Sequence, residues 1–264
     1  MKTRIITAII GLLIFLPFVL YGEWPFVIFI YLIGTIGLFE MLKMKRIPIV
    51  SFPSIVGVLL LWTFLFNNYY FELNQYIPLS KSEILYALIF ILLAYTVLVK
   101  NRFSFDDVSF VLLSSLYVGI GFGYLILTRE AGLEYILFAL LIIWLTDTGA
   151  YFAGRAFGKH KLWPIISPKK TIEGFFGGVI GAIIVAVILQ VIFNYHEHML
   201  LVVFVSIVAS VLAQVGDLIQ SAFKRIYDIK DTGHILPGHG GILDRFDSLI
   251  FMVPFLHFIQ FIQL

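Results

Sequence analysis

The sequence predicts an all-α, polytopic membrane protein of about nine transmembrane helices, with its N-terminus in the cytoplasm. Of the 264 residues, 61% are hydrophobic and only 13% are charged. A soluble domain of this length could not bury so much apolar surface. The apolar residues also fall into runs close to the length of about 20 residues that a helix needs to cross a bilayer.

Nine such runs follow one another along the chain. They cover residues 5–21, 24–40, 49–66, 83–99, 108–127, 133–153, 174–193, 199–220 and 243–263. The first two runs are short and lack sharp boundaries. The first follows Lys2 and Arg4 without a small-residue cleavage site, so we expect a retained span rather than a removed signal peptide.

The basic residues agree with this arrangement. With the N-terminus inside, 16 of the 18 Lys and Arg residues fall in the inner segments, and only Lys81 and Arg129 remain outside. Such an uneven distribution is typical of membrane proteins, whose cytoplasmic loops are enriched in basic residues. It also places the polar segments of the second half on the cytoplasmic side of the cell membrane.

The chain divides into two unequal parts within one integral membrane domain. Residues 1–130 keep their polar side chains in short connections, which predicts a scaffold of transmembrane helices. Residues 131–264 carry polar side chains inside or beside spans, where such residues are costly and usually functional. Small residues recur there every three or four positions, which predicts close helix packing. They are Ala150, Gly154, Gly158, Gly174, Gly178 and Gly181.

Cysteine content and net charge exclude only a few kinds of chemistry. The chain contains no cysteine, which excludes disulfides and thiolate chemistry. The formal net charge of +2 is too small to indicate a class of partner.

Asp147 is the first acidic side chain placed well inside a predicted span. It lies toward the cytoplasmic end of the run 133–153. A carboxylate at that depth needs a cation, hydrogen-bond donors or a proton, because an isolated charge is costly in lipid. Asp147 is therefore either a functional residue or a hydrogen-bond partner for another helix.

The segment Ser167–Glu173 precedes a glycine-rich span. Pro168 predicts a loop, and Thr171 is a suitable N-cap for the helix that follows. The exposed N–H groups and the dipole of such a helix start attract phosphate, and Lys169 and Lys170 add positive charge beside it. We predict a phosphate-binding segment; the alternative is a basic anchor at the end of a span.

The main polar cluster of the chain is Asp217–Asp247, which holds 9 of the 34 charged side chains. Asp217 and Lys224 lie on one helical face, and Arg225 is next to that face. The sequence PGHGG at Pro237–Gly241 cannot be regular helix, and its glycines let a ligand approach the backbone.

Asp244 and Asp247 lie one turn apart at the start of the last predicted span. Two carboxylates with this spacing suit Mg²⁺ that is bridged to phosphate oxygens. Arg245 lies between them in sequence but points away, so it could reach phosphate. A cluster of carboxylates, basic side chains and a glycine-rich turn in a membrane protein predicts a site for a charged, phosphate-bearing molecule and a divalent cation.

The segment from Ser221 to Asp247 reads SAFKRIYDIKDTGHILPGHGGILDRFD. It resembles the signature of the phosphatidate cytidylyltransferases, also called CDP-diacylglycerol synthases, along its whole length. Two upstream stretches, DTGAYFAGRAFG from Asp147 and SPKKTIEG from Ser167, resemble further motifs of that family. The first half of the chain is similar to the family only in hydrophobicity and length.

The resemblance implies a homodimeric enzyme of the cell membrane whose active site faces the cytoplasm, with residues 131–264 as its catalytic part. It would convert CTP and phosphatidate into CDP-diacylglycerol and pyrophosphate in phospholipid biosynthesis. Mg²⁺ is the implied cofactor, and a monovalent cation such as K⁺ is a second. The expected partners are the two substrates, the lipid bilayer and a second copy of the chain; we expect no nucleic acid.

The resemblance and the residue patterns together predict the members of the site. The predicted catalytic residues are Asp217, Lys224, Arg225, Asp244 and Asp247, and the three aspartates among them are the predicted metal ligands. The predicted substrate-binding residues are Asp147, Ser167, Lys169, Lys170, Thr171, Lys230, Asp231, His239, Gly240, Gly241 and Arg245.

Two other functions stay open at this point. A CTP-dependent kinase acting on a polyprenol or another lipid alcohol would release CDP rather than pyrophosphate. A secondary transporter of an anionic solute would also hold polar groups within a membrane bundle. Transporters, however, usually carry broken helices in paired halves, and this sequence shows no paired halves.

Overall fold

The computed structural model describes residues 2–66 and 79–263. These residues form nine α-helices and one two-stranded hairpin. The helices are α1 (Lys2–Tyr21), α2 (Glu23–Met44), α3 (Phe52–Leu65), α4 (Lys81–Leu98), α5 (Phe105–Ala131), α6 (Leu133–Phe157), α7 (Ile172–Phe193), α8 (Met199–Ile226) and α9 (Leu243–Phe258). The hairpin consists of β1 (Lys161–Trp163) and β2 (Ser167–Thr171).

The prediction of a helical, polytopic membrane protein is confirmed. Within the described residues, six helices are long and apolar enough to cross a membrane, namely α2, α4, α5, α6, α7 and α8. The apolar parts of α1 and α3 are shorter, at Ile6–Tyr21 and Phe52–Leu65, and α9 has only 16 residues. The number of nine spans and the side of the N-terminus therefore stay predictions.

The hairpin between α6 and α7 modifies the all-α prediction. β1 and β2 are antiparallel, with Lys161 opposite Thr171 and Trp163 opposite Ser167. Pro168, which predicted a loop, instead lies in β2. A two-stranded hairpin has two free edges, so a residue without an N–H group can be accommodated there.

Helices α6 and α7 pack with their backbones close together, as the spacing of small residues predicts. A Cβ atom on Gly174 would lie 2.9 Å from the carbonyl oxygen of Ala150, and one on Gly181 would collide with the Leu145 carbonyl. Larger side chains would push the two helices apart. This packing holds Asp147 of α6 beside the hairpin that leads into α7.

Helix α9 packs against α8 and also against helices from the first half of the chain. A Cβ atom on Gly37 of α2 would lie 3.0 Å from Leu243, and one on Gly121 of α5 would collide with Ile250. Leu243 and Ile250 are both buried. The position of α9, which carries Asp244 and Asp247, therefore depends on α2 and α5 as well as on α8.

Several polar connections meet at one end of the bundle. The Lys45 ammonium at the end of α2 lies 3.0 Å from Asp107 at the start of α5. Arg225 near the end of α8 donates a hydrogen bond of 3.3 Å to the carbonyl of Ile166 in the hairpin turn. At the other end, Arg129 of α5 donates to the last carbonyls of α1. The hairpin and the α8–α9 connection thus lie at the same end of the bundle, opposite the end that contains Arg129.

Candidate active site

A cavity of about 400 Å³ opens beside the hairpin. Its walls contain Asp147 from α6, Lys169 and Lys170 from β2, Thr171 at the start of α7, and Asp217 from α8. The packing of α6 against α7 and of α7 against α8 brings together residues that are up to 70 positions apart in sequence. The cavity therefore unites the three polar segments that the sequence predicts to be functional.

Lys170 and Asp217 form an ion pair at the wall of this cavity. The Lys170 ammonium lies 2.7 Å from Asp217 Oδ2, and the two side chains are 24% and 35% exposed. Ser221, one turn along α8, donates a 3.3 Å hydrogen bond to Asp217 Oδ1. Because the pair is only partly buried, both groups remain accessible to a ligand in the cavity.

Asp147, Asp217 and Asp247 are close enough for their charges to interact. The Asp217 carboxylate is close enough to interact with both Asp147 and Asp247. Lys170 and Arg245 act favourably on Asp147. A hard cation would relieve the repulsion between neighbouring ionised carboxylates.

The predicted ligands Asp217, Asp244 and Asp247 do not form a closed metal site by themselves. In the described ranges, no group of three or more His, Cys, Asp or Glu side chains is placed to hold a metal ion. Mg²⁺ is usually bound by one or two carboxylates and completes its shell with water and substrate phosphates. One or two of these carboxylates could serve that kind of site, with water and substrate phosphates as the remaining ligands.

Asp244 instead anchors the α8–α9 connection. Its Oδ1 accepts a 2.6 Å bond from the Lys224 ammonium. Its Oδ2 accepts bonds from the backbone N–H groups of Thr232 at 2.8 Å and Gly241 at 2.9 Å. Both carboxylate oxygens are therefore already engaged, and the carboxylate joins α8, the connection and α9.

The glycine-rich segment of the connection folds tightly around Asp244. Pro237 is followed by Gly238 with φ of +77°, and the N–H of His239 donates to the Leu236 carbonyl at 2.9 Å, as in a type II turn. Gly240 has φ of +84°, and a Cβ atom there would collide with Asp244 Oδ2. The spacing of these glycines is thus explained by backbone conformation and by the closeness of the carboxylate.

Glu40 belongs to this cluster, although it is not among the site residues predicted from the sequence. It lies in α2, is 2% exposed, and accepts hydrogen bonds from Thr232 Oγ1 at 2.8 Å, Ile242 N at 2.8 Å and Leu243 N at 3.0 Å. One signal in the sequence could have pointed to it. Glu40 is an acidic residue at the end of the apolar run 24–40, where ionisable residues are rare and usually functional.

The other predicted site residues occupy varied positions. Thr171 is buried and caps α7 by accepting a 3.1 Å bond from Gly174 N, which confirms the predicted N-cap. Ser167 is half-buried in β2, and the His239 side chain is half-buried in the turn. Lys230, Asp231 and Arg245 are exposed. For the part of the chain described, the residues that line the cavity do not include Lys224, Arg225, Asp244 or Asp247.

Comparison with known proteins decides the family. The model of the cytidylyltransferase family matches residues 2–262. This chain belongs to the cytidylyltransferase family. The resemblance noted from the motifs is therefore confirmed, and the match also covers the first half of the chain, where only hydrophobicity and length had indicated it.

Several cytidylyltransferase relatives match nearly the full length. The phosphatidate cytidylyltransferase of Bacillus subtilis (strain 168) is 48% identical over 264 residues, which is 98% of this chain and 97% of the relative. That of Staphylococcus epidermidis (strain ATCC 12228) is 50% identical over 257 residues, or 97% of this chain and 98% of the relative. That of Staphylococcus aureus (strain COL) is 47% identical over 257 residues, with the same coverage.

Proposed function

We propose that this protein transfers the cytidylyl group of CTP to phosphatidate and so produces CDP-diacylglycerol and pyrophosphate for phospholipid biosynthesis. The observation that carries the proposal is the cavity beside the hairpin. It gathers Asp147, Asp217, Lys169 and Lys170 in a chain that belongs to the cytidylyltransferase family over its whole length. No specific observation favours the lipid-alcohol kinase or the transporter.

In the proposed reaction, a phosphate oxygen of phosphatidate attacks the α-phosphorus of CTP. A phosphorus–oxygen bond forms there, and the bond from the α-phosphorus to the oxygen bridging it to the β-phosphorus breaks. Pyrophosphate leaves with that electron pair, so no covalent enzyme intermediate is needed. Lys169 and Lys170 line the cavity and can stabilise the charge that builds on the leaving group.

Both substrates are anionic, so the cavity must hold two groups that repel each other. The ammonium groups of Lys169 and Lys170 offset that repulsion, and fixing both reactants in one cavity supplies a large part of the rate acceleration. The site lies at the end of apolar helices. The acyl chains of phosphatidate can therefore stay in the bilayer while its phosphate enters the cavity.

We also propose that Mg²⁺ assists the reaction, with Asp217 and Asp247 as its protein ligands. When bound, Mg²⁺ would neutralise charge on the phosphate oxygens. Asp244 stays the third predicted ligand, although its contacts favour an anchoring role. A second, monovalent cation such as K⁺ stays a prediction.

The membrane arrangement that we propose has nine spans, a cytoplasmic N-terminus and a cytoplasm-facing site. Two observations support it. The hairpin and the α8–α9 connection lie at one end of the bundle, and 16 of the 18 basic residues fall on that side of the predicted topology. The division into a scaffold at 1–130 and a catalytic part at 131–264 stays part of the proposal, as does the homodimer, which rests on the family resemblance.

Purified protein incubated with labelled CTP, phosphatidate and Mg²⁺ tests the reaction. We expect a lipid-linked cytidine product and one pyrophosphate for each lipid converted. Release of CDP would indicate the kinase instead. Solute uptake into liposomes without CTP would indicate a transporter.

The metal assignment has its own test. We expect Asp217→Asn and Asp247→Asn to abolish product formation while the protein still folds in membranes, and Asp228→Asn to behave as wild type. Asp228 is exposed at φ of +52°, a conformation that Asn tolerates well. Near-normal turnover of both site variants would refute the assignment of these aspartates.

A further inference from the structure

Glu40 is a buried acidic residue that the proposed reaction does not use directly. It lies in α2 and is 2% exposed. Its Oε1 accepts a 2.8 Å hydrogen bond from Ile242 N, and its Oε2 accepts bonds from Leu243 N at 3.0 Å and Thr232 Oγ1 at 2.8 Å. All three partners belong to the α8–α9 connection or the start of α9.

These contacts make Glu40 the cap of α9. The first N–H groups of a helix have no partner within the helix and need an acceptor from elsewhere. At α9 the N-cap position is Ile242, which has no side chain able to cap. A carboxylate from α2 accepts from the N-cap residue and the first helical residue instead. Its negative charge also suits the positive end of the helix dipole.

The connection is shaped around the Glu40 carboxylate. A Cβ atom on Gly233 would lie 2.6 Å from Glu40 Oε1, and a Cβ atom on Gly241 would collide with both carboxylate oxygens. Only glycine therefore lets the backbone come this close on both sides.

Thr232 joins Glu40 to Asp244. Its hydroxyl lies 2.8 Å from Glu40 Oε2 and 3.1 Å from Asp244 Oδ2. Asp244 in turn holds Lys224, and Asp247 lies one turn further along the helix that Glu40 caps. The orientation of the acidic face of α9 thus depends on a residue from the first half of the chain.

We propose that Glu40 is a positioning residue for cytidylyl transfer, acting through Thr232 and the start of α9 to hold Asp247 near Asp217. This inference rests on the proposed function. It assigns to α2 a part in the active site beyond that of a scaffold helix. Glu40 lines no wall of the cavity, so its loss should misplace reacting groups without removing a substrate contact.

The test compares Glu40→Gln with Glu23→Gln. The Gln side chain keeps the size of Glu but replaces one acceptor oxygen with an NH₂ donor. It therefore cannot accept hydrogen bonds from both Ile242 N and Leu243 N. Glu23 lies in the first turn of the same helix and is exposed. In purified, folded protein we expect Glu40→Gln to lower kcat at least tenfold and to leave KM for CTP within about twofold of wild type. Glu23→Gln should match wild type in both constants.

A purely structural role would lower the amount of folded protein but not kcat per folded molecule. If Glu40→Gln does not fold, Thr232→Val supplies the same test, because it removes the hydroxyl that links Glu40 to Asp244. We then expect a lower kcat with KM for CTP unchanged. A wild-type kcat in whichever of these variants folds overturns the inference.

The test of Glu40 and the test of the proposed reaction can fail independently of each other. A wild-type protein that makes no lipid-linked cytidine refutes the proposed reaction, whatever Glu40 does. An active wild type together with a fully active Glu40→Gln variant refutes only the positioning role.

Discussion

Lys224 of α8 and Asp244 of α9 form a buried ion pair, with 2.6 Å between the ammonium nitrogen and Asp244 Oδ1 and side chains that are 11% and 4% exposed. From the sequence, both are predicted catalytic residues, and Asp244 is also a predicted metal ligand. In the structure each is the other's partner. Asp244 also accepts two backbone hydrogen bonds from the α8–α9 connection, so the pair holds this connection against both α8 and α9.

Removing one member of the pair should destabilise the protein strongly. Lys224→Met leaves the Asp244 carboxylate buried without its cation, and breaking a buried pair in this way costs about 3–5 kcal/mol. We expect a large fall in the melting temperature of the detergent-purified protein. Lys43→Met is the control, because Lys43 lies in α2 with an exposed side chain.

A double variant separates charge burial from lost packing. Asp244→Asn removes the uncompensated charge and keeps one oxygen for the backbone donors. Lys224→Met combined with Asp244→Asn should therefore recover part of the stability that Lys224→Met loses. If the double variant melts no higher than Lys224→Met alone, the ion pair is not what stabilises this connection.

Replacing Gly240 with alanine should destabilise the protein. Its φ of +84° costs an L-residue about 1–2 kcal/mol, and a Cβ atom would also collide with Asp244 Oδ2. We expect Gly240→Ala to lower both the melting temperature and kcat, since it displaces the carboxylate that anchors the connection. Gly11→Ala is a matched control, because a Cβ atom on Gly11 would have no atom within 4 Å. Wild-type activity of Gly240→Ala would show that the tight fit does not matter to the site.

The helices were the most predictable part of the fold. Hydrophobic runs alone locate them, and each of the nine predicted runs overlaps a helix among the residues that the structure describes. The hairpin was not predicted, because β1 has three residues and β2 has five. Strands this short contain too few residues to show an alternating pattern that distinguishes them from a loop.

The members of the candidate site could be named from the sequence, but their grouping could not. Asp147 and Asp217 line one cavity because α7 packs against both α6 and α8, a tertiary arrangement that spacing does not encode. The contact between Glu40 and Leu243 joins residues 203 positions apart. Local patterns predict which residues share a helical face, whereas these pairings depend on how helices from both halves pack.

Lys170 should contribute to CTP binding. Its ammonium lies 2.7 Å from Asp217 at the wall of the cavity and is partly exposed, so it can turn toward a phosphate when substrate enters. A hydrogen bond to a charged group contributes about 1.5–3 kcal/mol, which corresponds to roughly a ten- to hundredfold change in affinity. We expect Lys170→Met to raise KM for CTP by such a factor in steady-state assays.

Lys161→Met is the matched control for Lys170, because Lys161 lies on the other strand of the same hairpin with an exposed side chain. It should leave KM for CTP unchanged, since it lines no wall of the cavity. If both variants raised KM for CTP by the same factor, the basic character of the hairpin would attract CTP generally. An unchanged KM in Lys170→Met, with only kcat reduced, would mean that Lys170 acts on the leaving group alone and that CTP is held by other residues of the cavity.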